Sequence, residues 1–306
     1  MIISASRRTD IPNHYSAWFL NRLREGFVLT RNPFNHAQIS KVPLNREVVD
    51  CIVFWTKDPK NMMPYLKEID EKGYKYYFQF TLTPYGKDIE RNLREKSELI
   101  STFIELSKLI GREKVIWRYD PIILTEDINI DYHKEQFLSM VEKLSPYTKT
   151  VVISFVDMYK KIKSKMIRGI TMEEIQAIAE YIGKTAKKHG LIPRACCEEV
   201  DLTPYGIERS SCIDKDLVEL IGGERLNIKN DNNQRKFCRC VDSIDIGAYN
   251  TCINGCVYCY ASYNGQSTID RYKGHDPYSE LLTGNVSGDE KITVRNVKSN
   301  IKLKSL

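Results

Sequence analysis

The chain has 306 residues, 42% hydrophobic and 28% charged, with a formal charge of +6. That composition is ordinary for a soluble globular protein, and no apolar run reaches the roughly 18 residues a membrane-spanning helix needs. The mild positive charge permits a nucleic-acid or phosphate-bearing substrate without requiring one, and the length suits one large α/β barrel or two smaller domains. The first ten residues lack the basic, apolar and cleavage regions of a secretory leader, so a cytoplasmic location is expected.

Short apolar strands alternate with amphipathic helices along most of the chain. In order, the pattern predicts a strand at 2–6, a helix at 16–24 and strands at 27–30 and 51–55. A helix at 60–72, a strand at 76–81, a helix at 96–110 and a strand at 115–118 follow. A helix at 132–144, a strand at 151–155, a helix at 171–189, a strand at 191–195 and a helix at 214–221 complete the series. Thr171 and Asp214 are the expected N-caps of the last two helices. Such alternation argues for a parallel sheet flanked by helices, either an open doubly wound sheet or a (β/α) barrel, complete or incomplete.

The positions of the polar residues favour the barrel. Arg7, Arg8 and Asp10 follow the first predicted strand, Arg31 and Asn32 the second, and Trp55, Thr56 and Lys57 the third. Thr81 and Thr83, then Arg118, Tyr119 and Asp120, then Ser154 and Asp157, then Arg194, Cys196 and Glu198 end the later ones. A parallel barrel collects all its strand ends at one face, so these side chains are expected in one pocket; the plainer alternative is loop residues meeting water.

After Gly223 the composition turns polar, which divides the chain into an expected barrel at 1–225 and a cysteine-rich, cluster-binding extension at 226–306 packed on its mouth. The lysine-rich run at 160–165 reads as a solvated helix face, with a phosphate patch as the alternative, and the tail at 289–306 is basic.

All of the nine cysteines but Cys51 fall after residue 195, several of them one to three residues apart. In a reducing compartment that crowding points to metal rather than disulfides. Cys252, Cys256 and Cys259 form a Cx3Cx2C triplet. Three thiolates on a [4Fe-4S] cluster leave one iron free to bind something else; a structural zinc site would need a fourth ligand, Cys238 or Cys240. Cys196, Cys212, Cys238 and Cys240 form a candidate second metal site, iron–sulfur or zinc, with buried ordinary thiols as the alternative. Cys197 points away from Cys196 on an extended strand, and Cys51 is expected in the core.

The triplet, with Tyr258 just before its last cysteine, resembles the cluster motif of radical S-adenosylmethionine enzymes. The resemblance implies a [4Fe-4S] cluster whose unique iron chelates S-adenosylmethionine, reductive formation of a 5′-deoxyadenosyl radical, and an electron donor such as ferredoxin or flavodoxin. In that superfamily the motif follows the first barrel strand, whereas here it follows every predicted strand. The run Gly222, Gly223, Glu224 is similar to the superfamily's Gly-Gly-Glu that contacts the cofactor amino group; it also stands where a helix stop belongs.

Over its length the chain resembles the bacterial family numbered 1848 among domains of unknown function. The likeness is carried by the stretches at 4–12, 54–57, 78–86, 115–121, 153–157 and 247–252. A looser similarity extends to spore photoproduct lyase, a radical enzyme acting on DNA.

On this scheme Arg118, Asp120 and Arg8 are the catalytic candidates, and Arg7, Arg194, Tyr258 and Glu198 the cofactor-binding ones. Guanidinium groups suit a cofactor carboxylate or an acidic small-molecule or nucleic-acid substrate, while Asp10, Asp120 and Glu198 serve equally as their structural partners. Tyr119, Tyr258 and Tyr260 could stack on a base or pack beneath the cluster loop. Among the histidines only His275 is expected to approach the site. The alternatives are an iron–sulfur reductase or Lewis-acid enzyme that does not cleave S-adenosylmethionine, and a nucleic-acid-binding protein with a structural metal module.

Overall fold

The structure is a computed structural model that describes residues 1–157, 164 and 166–302. Of the lysine-rich run at 160–165 only Ser164 belongs to the described residues, and the tail beyond 302 lies outside them. The first half contains β1 (Ile2–Ala5), α1 (Ile11–His14), α2 (Ser16–Glu25), β2 (Phe27–Arg31), β3 (Gln38–Pro43), β4 (Cys51–Thr56), α3 (Leu66–Glu71), β5 (Tyr76–Thr81) and α4 (Lys96–Ile110). After it come β6 (Val115–Ile122), α5 (Ile130–Leu144), β7 (Thr150–Phe155), α6 (Met172–Lys188), β8 (Ile192–Ala195), β9 (Glu208–Arg209), α7 (Lys215–Gly222), β10 (Ile244–Asp245), α8 (Gly265–Lys273) and β11 (Lys291–Val294).

Runs such as Cys51–Thr56 and Tyr76–Thr81 are dense in β-branched and aromatic residues and become central strands. Eight strands form one sheet in the order β10-β1-β4-β5-β6-β7-β8-β9, and every pairing in it is parallel. Both faces are covered, as a parallel sheet requires. Ile3, Phe54, Phe78, Trp117 and Ile153 pack with helix residues such as Phe19, Leu66, Phe103, Phe137 and Ile182. The alternate residues Ile2, Val53, Tyr77, Ile116 and Val152 meet Cys212, Ile213, Val218 and Val241 on the other face.

A closed barrel is not shown, because β9 and β10 are the two edges of the sheet and do not pair. Each is two residues long.

One predicted strand belongs elsewhere. β2 pairs antiparallel with β3, which pairs parallel with β11 in a separate three-stranded sheet. Arg31 therefore does not join the other strand ends. Its guanidinium pairs with Glu290, and the expectation that it lines the common pocket is corrected.

Helix ends follow their local chemistry. Thr171 and Asp214 cap α6 and α7 through their side chains. Gly223 ends α7 at φ 72° with its N–H on the Glu219 carbonyl, so Gly222 and Gly223 act as a helix stop. Residues after 225 are woven into the main fold: β10 lies beside β1, β11 beside β3, and Ile246 and Leu282 join the core shared with the helices. Among the described residues no helix is long and apolar enough to cross a membrane.

Candidate functional site

The triplet loop is held over the C-terminal ends of β1, β4 and β5. Asn254, inside the triplet, donates from Nδ2 to Asp10 Oδ2 at 2.9 Å, and its Oδ1 contacts Asn13 Nδ2 at 3.0 Å and His14 Nε2 at 2.8 Å. Asp10 also accepts from the backbone N–H of Lys57 at 2.8 Å, which fixes the end of β4 to the same point. Tyr15 donates to the Thr251 carbonyl at 2.6 Å, and Asn92 donates to the Ile253 carbonyl at 2.7 Å. Val257 N–H donates to the Ile89 carbonyl at 3.0 Å, and Glu90 and Cys256 form a backbone bridge.

Anchored in this way, the Cys252, Cys256 and Cys259 thiols lie within electrostatic reach of one another. Burial pushes the Cys256 thiol up to about 12 and the Cys252 thiol well above its ordinary value. For Cys252 and Cys256 the neutral thiol is the stable form unless a metal supplies positive charge, since a coordinated thiol is deprotonated outright. The donor set therefore fits a thiophilic centre. Among the described residues no three Cys, His, Asp or Glu side chains converge closely enough to share one ion. A cluster, which offers a separate iron to each sulfur, makes no such demand.

A buried carboxylate supports the loop from below. Glu90, 1% exposed, receives Lys57 Nζ at 2.7 Å and Thr83 Oγ1 at 2.8 Å, together with Lys96 Nζ and the Tyr258 hydroxyl. Burial alone would raise its pKa, but the two ammonium groups outweigh it and hold the carboxylate at about 2. Lys57 is also within electrostatic reach of Cys256, so this network places a cation beside the triplet. Tyr258 has its hydroxyl on Glu90 and its ring centroid 6.1 Å from that of Tyr85 and 5.4 Å from Lys57 Nζ. Its place is beneath the loop.

The second group of predicted residues gathers on the sheet face that carries Cys212 and α7, opposite the face packed by α2 to α6. Arg118, buried on β6, donates from Nε to Asp120 Oδ2 at 2.9 Å and from Nη1 to Gln79 Oε1 at 3.3 Å and Cys212 Sγ at 2.9 Å. Asp120 also accepts from Ser154. The Trp55 ring lies 5.2 Å from the Arg7 guanidinium and 5.3 Å from that of Arg118. Glu198 accepts from the Phe155 N–H at 2.9 Å, and burial, reinforced by Asp157 and Asp120, pushes it up to about 7. Arg8 is loosely paired with Asp245 at 3.9 Å and lies 5.3 Å from the Tyr249 ring. Arg194 is turned to the start of α7, where Nη1 donates to Asp214 Oδ2 at 3.0 Å.

Cys196, Cys212, Cys238 and Cys240 lie on this face too. The Cys196 and Cys212 sulfurs are 3.0 Å apart, and Cys212 contacts Cys240, which contacts Cys238. Cys240 Sγ accepts from the Ile213 N–H at 3.3 Å. Cys197, at φ 58°, sits near Arg235 and Asp157, and Cys51 is fully buried core.

The predicted residues thus fall into two neighbouring groups joined at the end of β1. Tyr260, after the triplet, donates to the Arg7 carbonyl at 2.9 Å, and the Arg7 guanidinium lies within electrostatic reach of the second thiols. His275 is one layer back, its Nδ1 on the Leu282 carbonyl and its ring 4.7 Å from Tyr15; His14 is the histidine that touches the loop. Glu90, Lys96 and Asn254 were not foreseen, although Asn254 sits inside the triplet and Glu90 follows a predicted strand end.

A family model described as a domain of unknown function, DUF1848, matches residues 2–261, and the chain belongs to that family. No curated protein matches it. Among solved structures it is similar to a candidate alpha-L-fucosidase from Bacteroides thetaiotaomicron VPI-5482, with 11% identity and a TM-score of 0.26 over 74% of this chain and 83% of the other. At that score the likeness bears on neither the architecture nor the activity.

Proposed function

We propose that this DUF1848 protein is an iron–sulfur enzyme of the radical S-adenosylmethionine type, with a [4Fe-4S] cluster on Cys252, Cys256 and Cys259 over an incomplete (β/α) barrel. The observation that carries the reading is the gathering of the three thiols above the ends of β1, β4 and β5, beside the Lys57 ammonium. The sequential order of β1 and β4 to β9 supports the barrel, because one-way winding puts the strand ends on one rim. When bound, the cluster supplies an open iron for chelation and an electron for cleavage of the sulfonium.

The chain's own residues bind, orient and exclude water. The Asp10–Asn254 and Glu90–Lys57 contacts hold the loop closed over the strand ends. Arg8, only loosely paired, offers a guanidinium to a carboxylate or phosphate. Arg118 holds Asp120 in place, and Glu198, with its pKa pushed up to about 7, holds or releases a proton on the same face.

A second reading is an iron–sulfur enzyme that never cleaves S-adenosylmethionine, acting as a reductase or through an open Lewis-acidic iron. The helix stop at Gly222 and Gly223 favours it, because the run similar to the cofactor-contacting Gly-Gly-Glu has a structural task of its own. Anaerobic purification followed by dithionite and S-adenosylmethionine separates the two. The first reading expects a brown protein that forms 5′-deoxyadenosine and loses that activity in Cys256→Ala. Iron and sulfide without 5′-deoxyadenosine select the second, and a colourless zinc protein overturns both.

A further inference from the structure

We propose a second metal site, distinct from the triplet loop and independent of the radical reading: an iron–sulfur cluster held by all four of Cys196, Cys212, Cys238 and Cys240. These thiols come from three segments, the end of β8, the turn between β9 and α7, and the loop before β10. Folding strings them together in the sequence Cys196, Cys212, Cys240, Cys238, with the first two sulfurs 3.0 Å apart. Cys212 and Cys240 are 2% and 3% exposed.

The charge around them separates this group from ordinary core thiols. Small apolar-like cysteines pack against hydrophobic neighbours, yet here a buried Arg118 Nη1 donates to Cys212 Sγ at 2.9 Å. The Arg7 guanidinium lies within electrostatic reach of Cys212, Cys238 and Cys240, and its Nη2 is buried without a hydrogen-bond partner. An unsatisfied buried donor costs about 1–3 kcal/mol, more when charged. Among the described residues, the carboxylate that Arg7 and Arg8 face is Asp245 and the one that Arg118 pairs with is Asp120. A thiolate-ligated cluster, being anionic, supplies both the missing acceptor and the missing negative charge.

A single ion fits the present positions poorly. One tetrahedral ion needs its sulfurs about 2.3 Å from a common point, and among the described residues no three such ligands share one. A four-iron cluster takes one sulfur at each corner, so a string of thiols can wrap it once Cys196 and Cys212 part. With four protein ligands no iron is left open, which distinguishes this centre from the one assigned to the triplet.

The test uses the full chain with Cys252→Ser, Cys256→Ser and Cys259→Ser combined, reconstituted anaerobically with ferrous iron and sulfide and then desalted. About four irons and four sulfides per chain should remain, and adding Cys212→Ser should remove them. No retained iron, iron indifferent to Cys212→Ser, stoichiometric zinc in its place, or a Cys196–Cys212 disulfide would each overturn the proposal. Because a variant can misfold, alkylation of the otherwise unaltered chain provides a second readout. Cys238 should be at least tenfold slower to react with iodoacetamide after iron and sulfide loading, and equal rates count against the site. Retained iron without 5′-deoxyadenosine in the unaltered chain would sink the radical reading alone.

Discussion

Replacing Glu90 by Gln tests whether the buried carboxylate holds the triplet loop. The substitution keeps the size and an acceptor oxygen but leaves the Lys57 and Lys96 ammonium groups, 13% and 26% exposed, facing each other without an anion. Removing one partner of a buried ion pair costs about 3–5 kcal/mol. The carboxylate's displacement from 4.5 to about 2 corresponds to about 3 kcal/mol at 1.36 kcal/mol per unit, so the two routes agree in order of magnitude. Because the folded pKa is depressed, this stabilisation is complete above pH 4.5 and disappears as pH falls toward 2. About 1.4 kcal/mol of it should be gone at pH 3.5. Urea denaturation of both proteins from pH 7 to pH 3.5 should show a gap of about 3 kcal/mol that narrows by roughly half. A gap below about 1 kcal/mol at pH 7, or one that widens on acidification, would refute the reasoning.

Gly247→Ala should destabilise the β1–β10 edge, because a Cβ there would stand 2.0 Å from Ser6 Oγ, the group that donates to Asp245 at 2.7 Å. A loss of about 1–3 kcal/mol in thermal or urea unfolding is expected, and an unchanged midpoint would show that Ser6 moves aside freely. Glu198 carries the opposite pH sign from Glu90. Its folded pKa is raised to about 7, so its contribution is fully present below about pH 4.5 and is lost as pH climbs through 7. Glu198→Gln should therefore flatten the stability profile between pH 5 and 8 and gain on the order of 2–3 kcal/mol relative to the parent above pH 8; parallel profiles would contradict the assignment.

What could be read from the sequence was what local physics decides. The helix Lys96–Ile110 and the strand Tyr76–Thr81 have the predicted bounds, because a sharp apolar period and clear punctuation specify them. The helix expected at 60–72 shortens to Leu66–Glu71, since Pro64 has no N–H for a regular helical turn before it. β3, β9, β10 and β11 escaped notice. They are polar or only two to six residues long, and distant partners make them strands. The same holds for the second sheet, because alternation announces β2 without naming its neighbour. At the site, the cysteines and arginines were legible by type and spacing. Glu90 was not: the hydroxyl of Tyr258, 168 residues away in sequence, meets it only after folding.

The end of β1 explains why the two thiol groups belong to one architecture. Asp10 holds Asn254 and thereby the triplet, while Arg7, three residues earlier, has its guanidinium within electrostatic reach of the second thiols and its carbonyl on Tyr260. Asp245 on β10 accepts from Ser4, Ser6 and the Arg7 N–H, so the late part of the chain is tied to that turn from the other side. A single turn therefore adjoins both groups of thiols between residues 196 and 259. This adjacency also accounts for the sequence order. The triplet need not follow the first strand in the chain to stand over it, because the strand's own end carries the contacts that bring the triplet back.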